Sequence, residues 1–469
     1  MTTGNLWDAN IWSAVLIIAL LLSAIIIANS LRQKIRILRE SLIPSSVLGG
    51  LLLLIASTVC KSITGTYLFD LPMFCAGSAF SGIGILEMIT YHCLAIGFIC
   101  MSLRRVGKTS KDRKTDVFNS GVLTVNTYLI QVLFGLIITV AASFIIPSIL
   151  KASGILLAFG FGQGTGQALN YGSIYENQFG FFGGKSFGLT IAAMGFLTAS
   201  LVGVLYLNIL KKKGRLKVDP SKTAHKNTLA DFEDENEFPL TESVDKLTVE
   251  FSIIILIYAA SYGIMCLLGK LVGDGLIGTI FGFNFLIGTF VAILFKAVYV
   301  RLRNRNIIKR EYINNFMMNR IGGFAFDVMI LAGIGAIQID ILRDYWIVLL
   351  ALGVTGAVIT FVYVRYVCNS LFKSYAAEQF MAFFGMLTGT ASTGVILLRE
   401  ADPAFETPAA DNLVYQNLVA IIFGFPIMFL ASYAPRSDAS TYITFGIVLA
   451  LFIIFNLILF RSRIFKKKK

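Results

Sequence analysis

The chain has 469 residues, 56% of them hydrophobic and 14% charged, with a mean hydropathy of +0.76. Soluble globular chains carry about 25% charged residues, so a soluble fold is excluded, and the net charge of +13 sits in short clusters between apolar runs rather than on a nucleic-acid-binding face. Two histidines and six scattered cysteines without a CxxC pair argue against a haem, a zinc site or a disulfide framework.

In chain order, apolar runs fall at about 11–31, 45–60, 80–103, 118–147, 184–210, 248–269, 276–300, 313–339, 345–367, 413–434 and 441–460. Runs of about 20 residues cross a roughly 30 Å hydrocarbon core as helices; a transmembrane barrel would show alternating segments of about 10 residues. The first run is too long for a signal-peptide core, lacks a cleavage site and is followed by basic residues, so it reads as a retained helix. His92, inside an apolar run, reads as a partnered core histidine.

Five clusters hold most of the 40 Lys and Arg: Arg32–Arg39, Arg104–Lys114, Lys211–Lys226, Arg301–Arg310 and the tail from Arg461. Lys and Arg mark cytoplasmic connections. The runs then alternate with the N-terminus outside and the C-terminus inside, provided that two glycine-rich stretches, 154–180 and 375–411, each enter and leave on one side. These are predicted to be re-entrant hairpins rather than surface loops. The hydrophilic segment 211–247 reads as a cytoplasmic linker between membrane repeats 1–210 and 248–434, and 435–469 adds a further transmembrane helix and a basic tail.

The basic loops on the two sides of the linker fall at opposite positions in the repeat, the signature of inverted topology. The hairpins align at an offset of 225: Gly160, Gly164 and Thr165 match Gly385, Gly389 and Thr390. The predicted fold is therefore an all-α polytopic membrane protein, an inverted repeat of two five-helix units with two re-entrant hairpins and an extra C-terminal helix.

Non-helical backbone at membrane depth is tolerated where it is buried in protein or lines a cavity. A broken helix exposes N–H groups that attract a carboxylate and C=O groups that suit a hard cation. The candidate site joins Gln163, Gly164, Thr165, Gly166, Gln167 and Asn170 of the first hairpin to Thr388, Gly389, Thr390, Ala391, Ser392 and Thr393 of the second. Na⁺ is placed near Thr165, Thr390 and Ser392. Glu176, Arg399, Glu400 and Asp402 are expected near water and Glu378 at an interface. Asp327 is the intramembrane ionisable residue kept as a functional candidate. Neither tip carries a carboxylate, which favours Na⁺ over H⁺ coupling.

These motifs resemble the bacterial sodium/glutamate symporter family: "IPSSVLGGLL" (Ile43 to Leu52), "GFGQGTG" (Gly160 to Gly166) and "GMLTGTASTG" (Gly385 to Gly394), in that order around a central hydrophilic loop, over about residues 8–434. The resemblance implies two inverted five-helix repeats, hairpins forming the site, Na⁺-driven import of glutamate or a related small anion by alternating access, no enzymatic activity, no cofactor beyond Na⁺ as coupling ion, a homodimer, and a bacterial cytoplasmic (inner) membrane location. The chain departs from the family where Phe161 and Gln163 replace Gly and His in its Gly-Gly-His-Gly-Thr pattern, where Ser392 replaces Pro, and where the span after Tyr442 is added. The readings weighed against transport are an intramembrane aspartyl protease, which needs a second aspartate facing Asp327, and an anion or cation channel.

Overall fold

A computed structural model describes residues 9–75, 80–104, 111–214, 216, 246–272, 277–308, 310–403 and 405–461. Most of the predicted 211–247 linker, part of the Arg104–Lys114 cluster and the basic tail lie outside them. The regular elements among the described residues are helices: α1 (Ala9–Lys34), α2 (Ser45–Thr64), α3 (Gly82–Leu103), α4 (Lys111–Ser143), α5 (Leu156–Phe179), α6 (Gly184–Lys212), α7 (Lys246–Val272), α8 (Asn284–Asn304), α9 (Asn315–Gly335), α10 (Trp346–Leu371), α11 (Ala376–Leu387), α12 (Ala391–Ala401), α13 (Ala409–Tyr433) and α14 (Asp438–Leu459), with short helical turns between some of them. Eleven of these helices are long and apolar enough to cross a membrane. They coincide with the eleven apolar runs. The three that do not qualify, α5, α11 and α12, are the glycine-rich hairpins.

Local chemistry explains where the helices stop. α1 ends with Arg32 and Lys34 in its last turn, where cations meet the negative end of the helix dipole. Pro44 precedes α2, and Gly65 closes it in the left-handed region (φ +79°), its N–H donating to the Lys61 carbonyl. Ser437 caps α14 by accepting from the Ser440 N–H at 3.0 Å. The glycines of the "IPSSVLGG" motif serve packing: a Cβ on Gly49 would lie 3.1 Å from the Ala24 carbonyl of α1, and one on Gly50 2.8 Å from Ile334 of α9. Lipid supplies no hydrophobic drive for helices to associate, so close backbone approach and interhelical hydrogen bonds do that work.

The described chain packs as two compact units. One comprises Met1–Glu87, Lys108–Ala224 and Ile330–Lys469; the other comprises Met88–Gly107 and His225–Met329. The repeats predicted from sequence are divisions of the chain, whereas the units are divisions of packing, and each unit draws on both halves. The smaller unit is built on Ile99, Leu103, Ile254, Ala292 and Met318. Within it, His92 Nδ1 lies 2.7 Å from the Tyr258 hydroxyl, so the histidine is partnered, although at an exposed position. The six cysteines are free thiols.

The larger unit contains both glycine-rich segments. α5 is interrupted at Gly164, whose φ of +78° and ψ of −168° are not helical. The rings of Phe159 and Tyr171 stack with centroids 4.0 Å apart. A straight helix would separate residues twelve apart by about 18 Å, so the chain doubles back at the break. The second segment folds the same way: a Cβ on Gly394 of α12 would lie 2.4 Å from the Ala382 carbonyl of α11.

Candidate functional site

The first break is a single residue. Only glycine holds φ near +78° without strain, and here it must also admit a neighbour. A Cβ on Gly164 would sit 3.2 Å from Thr390 Cγ2 and 3.6 Å from the Gly389 carbonyl oxygen. The tip of the first hairpin therefore meets the tip of the second, at the residues paired by the offset of 225. Every residue from Leu156 to Gly172 is buried except half-buried Gln163.

The second break spans Thr388–Thr390 and needs no left-handed residue. The Thr388 hydroxyl donates to the Phe384 carbonyl of its own helix at 2.7 Å. Thr390 opens α12 as an extended N-cap, and its hydroxyl lies 3.4 Å from that of Thr393. Ala391 is half-buried, Ser392 exposed and Thr393 buried.

Of the remaining predicted residues, Thr165, Gly166, Gln167 and Asn170 are buried on the returning arm of α5. Asn170 Nδ2 donates to Gln167 Oε1 at 3.4 Å, and Gln167 Nε2 is buried without an acceptor. An unsatisfied buried donor costs about 1–3 kcal/mol. Asp327 is at an exposed position on α9 within the smaller unit. Two expectations about charge change. Glu378 is 1% exposed, and Asp402, 0% exposed, is consumed locally, accepting from the Glu406 and Thr407 N–H groups and the Thr407 hydroxyl. Glu176 does keep water contact, and with Glu87 it flanks Lys185 at 4.0 and 2.8 Å.

Residues of other helices pack around the two tips. Phe196 of α6 lies within van der Waals reach of both Gly164 and Gly389; Gly195 faces the Thr388 carbonyl, and Gly333 of α9 packs on Thr165. On α4, the Tyr128 hydroxyl donates to the Gly162 carbonyl at 3.2 Å, and Gln131 Nε2 donates to Thr360 Oγ1 at 2.9 Å and to the Leu387 carbonyl at 3.1 Å. A glutamine in the middle of a long apolar run was a signal available in the sequence. Phe196, Gly195 and Gly333 gave none.

Nearer the start of α11 a polar chain ties it to α4 and α13. Tyr375 donates to Asp116 at 2.5 Å, Asn412 Nδ2 donates to the Tyr375 oxygen at 3.0 Å and to Gln379 Oε1 at 3.1 Å, and Gln379 Nε2 donates to Ser120 at 2.9 Å. Burial first, and then the Asp116 carboxylate, hold the Tyr375 phenol well above its usual range, so it remains the donor and sets the direction of the bonds that follow.

The described residues hold eleven membrane-length helices, and in the larger unit two broken helices meet at their breaks, with amides and hydroxyls and no carboxylate at either tip, as suits a membrane transport protein. The sodium/glutamate symporter family profile matches residues 10–400, and the chain belongs to that family. It is thus a transporter rather than an enzyme, of a family that carries glutamate with Na⁺ as coupling ion. No curated protein matches the chain. Neither the protease nor the channel reading draws support from the family or the tips.

Proposed function

We propose that the protein imports glutamate or a closely related small anion by Na⁺ symport across a bacterial cytoplasmic membrane, through alternating access of a core that carries both hairpins. The observation that carries this reading is the meeting of the two breaks at Gly164 and Thr390. Each break pairs a free N–H end with a free C=O end. The N–H groups that open α12 after Thr390, with the unaccepted Gln167 Nε2, suit a carboxylate. The hydroxyls of Thr165, Thr390 and Ser392 and the carbonyls at the breaks suit Na⁺. Gly166, Asn170, Thr388, Gly389, Ala391 and Thr393 shape the same tips. Gln163, half-buried beside the break, is the residue assigned here to reading the substrate; its half-burial supports that role. Asp327 is retained as a candidate ionisable residue outside the tips.

In this reading the hairpins are re-entrant, the repeats inverted, the N-terminus outside, the C-terminus inside, and the assembly a homodimer. Labelled glutamate should accumulate in proteoliposomes under an imposed inward Na⁺ gradient. Uptake indifferent to Na⁺ rejects the coupling; uptake of another carboxylate alone rejects the substrate. Cross-linking in membranes to a species of twice the chain mass tests the homodimer.

A further inference from the structure

One helix grips both hairpins. On α4, Tyr128 and Gln131 stand three residues apart and so share one face. The Tyr128 hydroxyl donates to the Gly162 carbonyl at 3.2 Å. A Cβ on Gly162 would strike the Tyr128 ring at 2.2 Å, so the ring lies directly on bare backbone. Gln131, 0% exposed, donates to the Leu387 carbonyl at 3.1 Å and to Thr360 Oγ1 of α10 at 2.9 Å.

The two accepting carbonyls are alike in kind. The last four carbonyls of a helix lack partners within it. Gly162 lies two residues before the break at Gly164, and Leu387 is the last residue of α11. Within the second hairpin the Phe384 and Met386 carbonyls accept from the Thr388 and Gly389 N–H groups, whereas the Leu387 carbonyl turns outward to Gln131. That carbonyl can only accept, so the Gln131 nitrogen is fixed towards it, and the amide oxygen stays buried without a donor. Leaving one end of a buried amide unsatisfied is costly, a cost that an apolar side chain at this position would not carry. α10 closes the frame: a Cβ on Gly356, one turn before Thr360, would lie 2.9 Å from Leu157 and 3.1 Å from Phe161 of the first hairpin. All of these residues belong to the larger unit.

We propose that Tyr128 and Gln131 are positioning residues for transport: by holding the carbonyl end of each hairpin's first arm to one face of α4, they set the spacing of the two breaks. This inference rests on the reading above, in which substrate and Na⁺ bind at the tips. The two holds act in series, from the first hairpin through α4 to the second, so cutting either one releases the spacing and cutting the other adds little. With a hold cut, only a fraction of the molecules has its tips in register, and the apparent affinity falls by that fraction. Bound substrate draws the tips back together, so the rate at saturation is kept.

The test is a double-mutant cycle on the KM for Na⁺-driven glutamate uptake by the full chain in proteoliposomes. Tyr128→Phe removes the hydroxyl and keeps the ring; Gln131→Met keeps the volume and removes the amide. Each should raise KM by about fivefold or more, with maximal uptake within about twofold of the unmodified protein. The double variant should have a KM within about twofold of the more affected single variant. A shift below about twofold in either single variant overturns the inference, as expected of a contact that serves stability alone. Single-variant factors that multiply in the double variant also overturn it, because independent contacts behave in that way. A folded variant that fails to transport at every glutamate concentration overturns it as well. If Gln131→Met does not accumulate, Thr360→Val, which removes the oxygen that aims the Gln131 amide, takes its place in the cycle with the same expected and overturning results. Failure of the unmodified protein to take up glutamate on a Na⁺ gradient removes the reading above and this inference with it; failures confined to the variants remove this inference alone.

Discussion

The two hairpins occupy equivalent places in the chain and solve the same problem differently. The first breaks at one glycine in a left-handed conformation, with residues 156–172 buried apart from half-buried Gln163. The second breaks over three residues without left-handed backbone, and its second arm exposes Ser392 and Arg399. A one-residue break holds both new helix ends in a fixed relation, because little backbone is left to adjust. A three-residue break with an N-cap threonine can re-set its geometry. In the proposed reading the first hairpin serves as the rigid wall of the site and the second as its adaptable face.

That contrast can be broken by substitution. Gly164→Ala should have the largest effect: a side chain at φ +78° costs about 1–3 kcal/mol, and its Cβ would press on Thr390 at 3.2 Å. Glutamate uptake should fall to background, and a variant with more than about a tenth of normal uptake would remove the rigid wall. Thr165→Val and Thr390→Val keep volume and delete the hydroxyl. Each should lower uptake by about fivefold or more with normal folding; normal transport by both would displace the site from the tips. Gly389→Ala should be milder than Gly164→Ala, a loss of about two- to fivefold, because its Cβ would meet Thr393 Oγ1 at 3.0 Å and the Gly385 carbonyl at 3.1 Å without backbone strain. Equal losses at the two glycines would erase the distinction between the hairpins.

Smaller effects sharpen the account of how α11 is anchored. Tyr375→Phe removes the donor to Asp116 and the acceptor for Asn412, and should lower stability by about 1–3 kcal/mol, read from thermal unfolding in detergent. The Tyr375 phenol is raised in the folded protein. A raised group contributes stability that is complete below its unfolded pKa, about 10 for tyrosine, and is lost only as pH rises through the folded value. The contribution of Tyr375 should therefore stay constant from about pH 7 to pH 9, so the gap between the unfolding temperatures of Tyr375→Phe and the unmodified protein should not change over that range. Lys151→Ala should do least. Its ammonium is raised by its hydrogen bond to Asp438 at the start of α14, but an ion pair in water is screened, and unfolding temperature and uptake should match the unmodified protein.

Much of this was legible in the sequence for a physical reason. Crossing a hydrocarbon layer demands a continuous apolar run, so eleven runs became eleven membrane-length helices, and the segments that failed that demand, "GFGQGTG" and "GMLTGTASTG", became the doubled-back ones. The offset of 225 named Gly164 and Gly389 as counterparts, and a Cβ on Gly164 would lie 3.6 Å from the Gly389 carbonyl oxygen. The fate of Asp402 was not legible, because charge predicts water unless local N–H donors are supplied, and those of Glu406 and Thr407 are supplied only by the turn they form.

The sequence alone determined which segments form membrane-length helices and where the glycine-rich segments break, because hydropathy and glycine content are local properties. Only the tertiary structure decided what surrounds the breaks. Phe196 sits against both tips, Gly333 packs on Thr165, and Gln131 grips Leu387 while turning a bare oxygen towards Gly162. Helices in lipid are rotated and paired by close packing and interhelical hydrogen bonds rather than by burial of an apolar face, and no run of residues states in advance which of its sides another helix will meet.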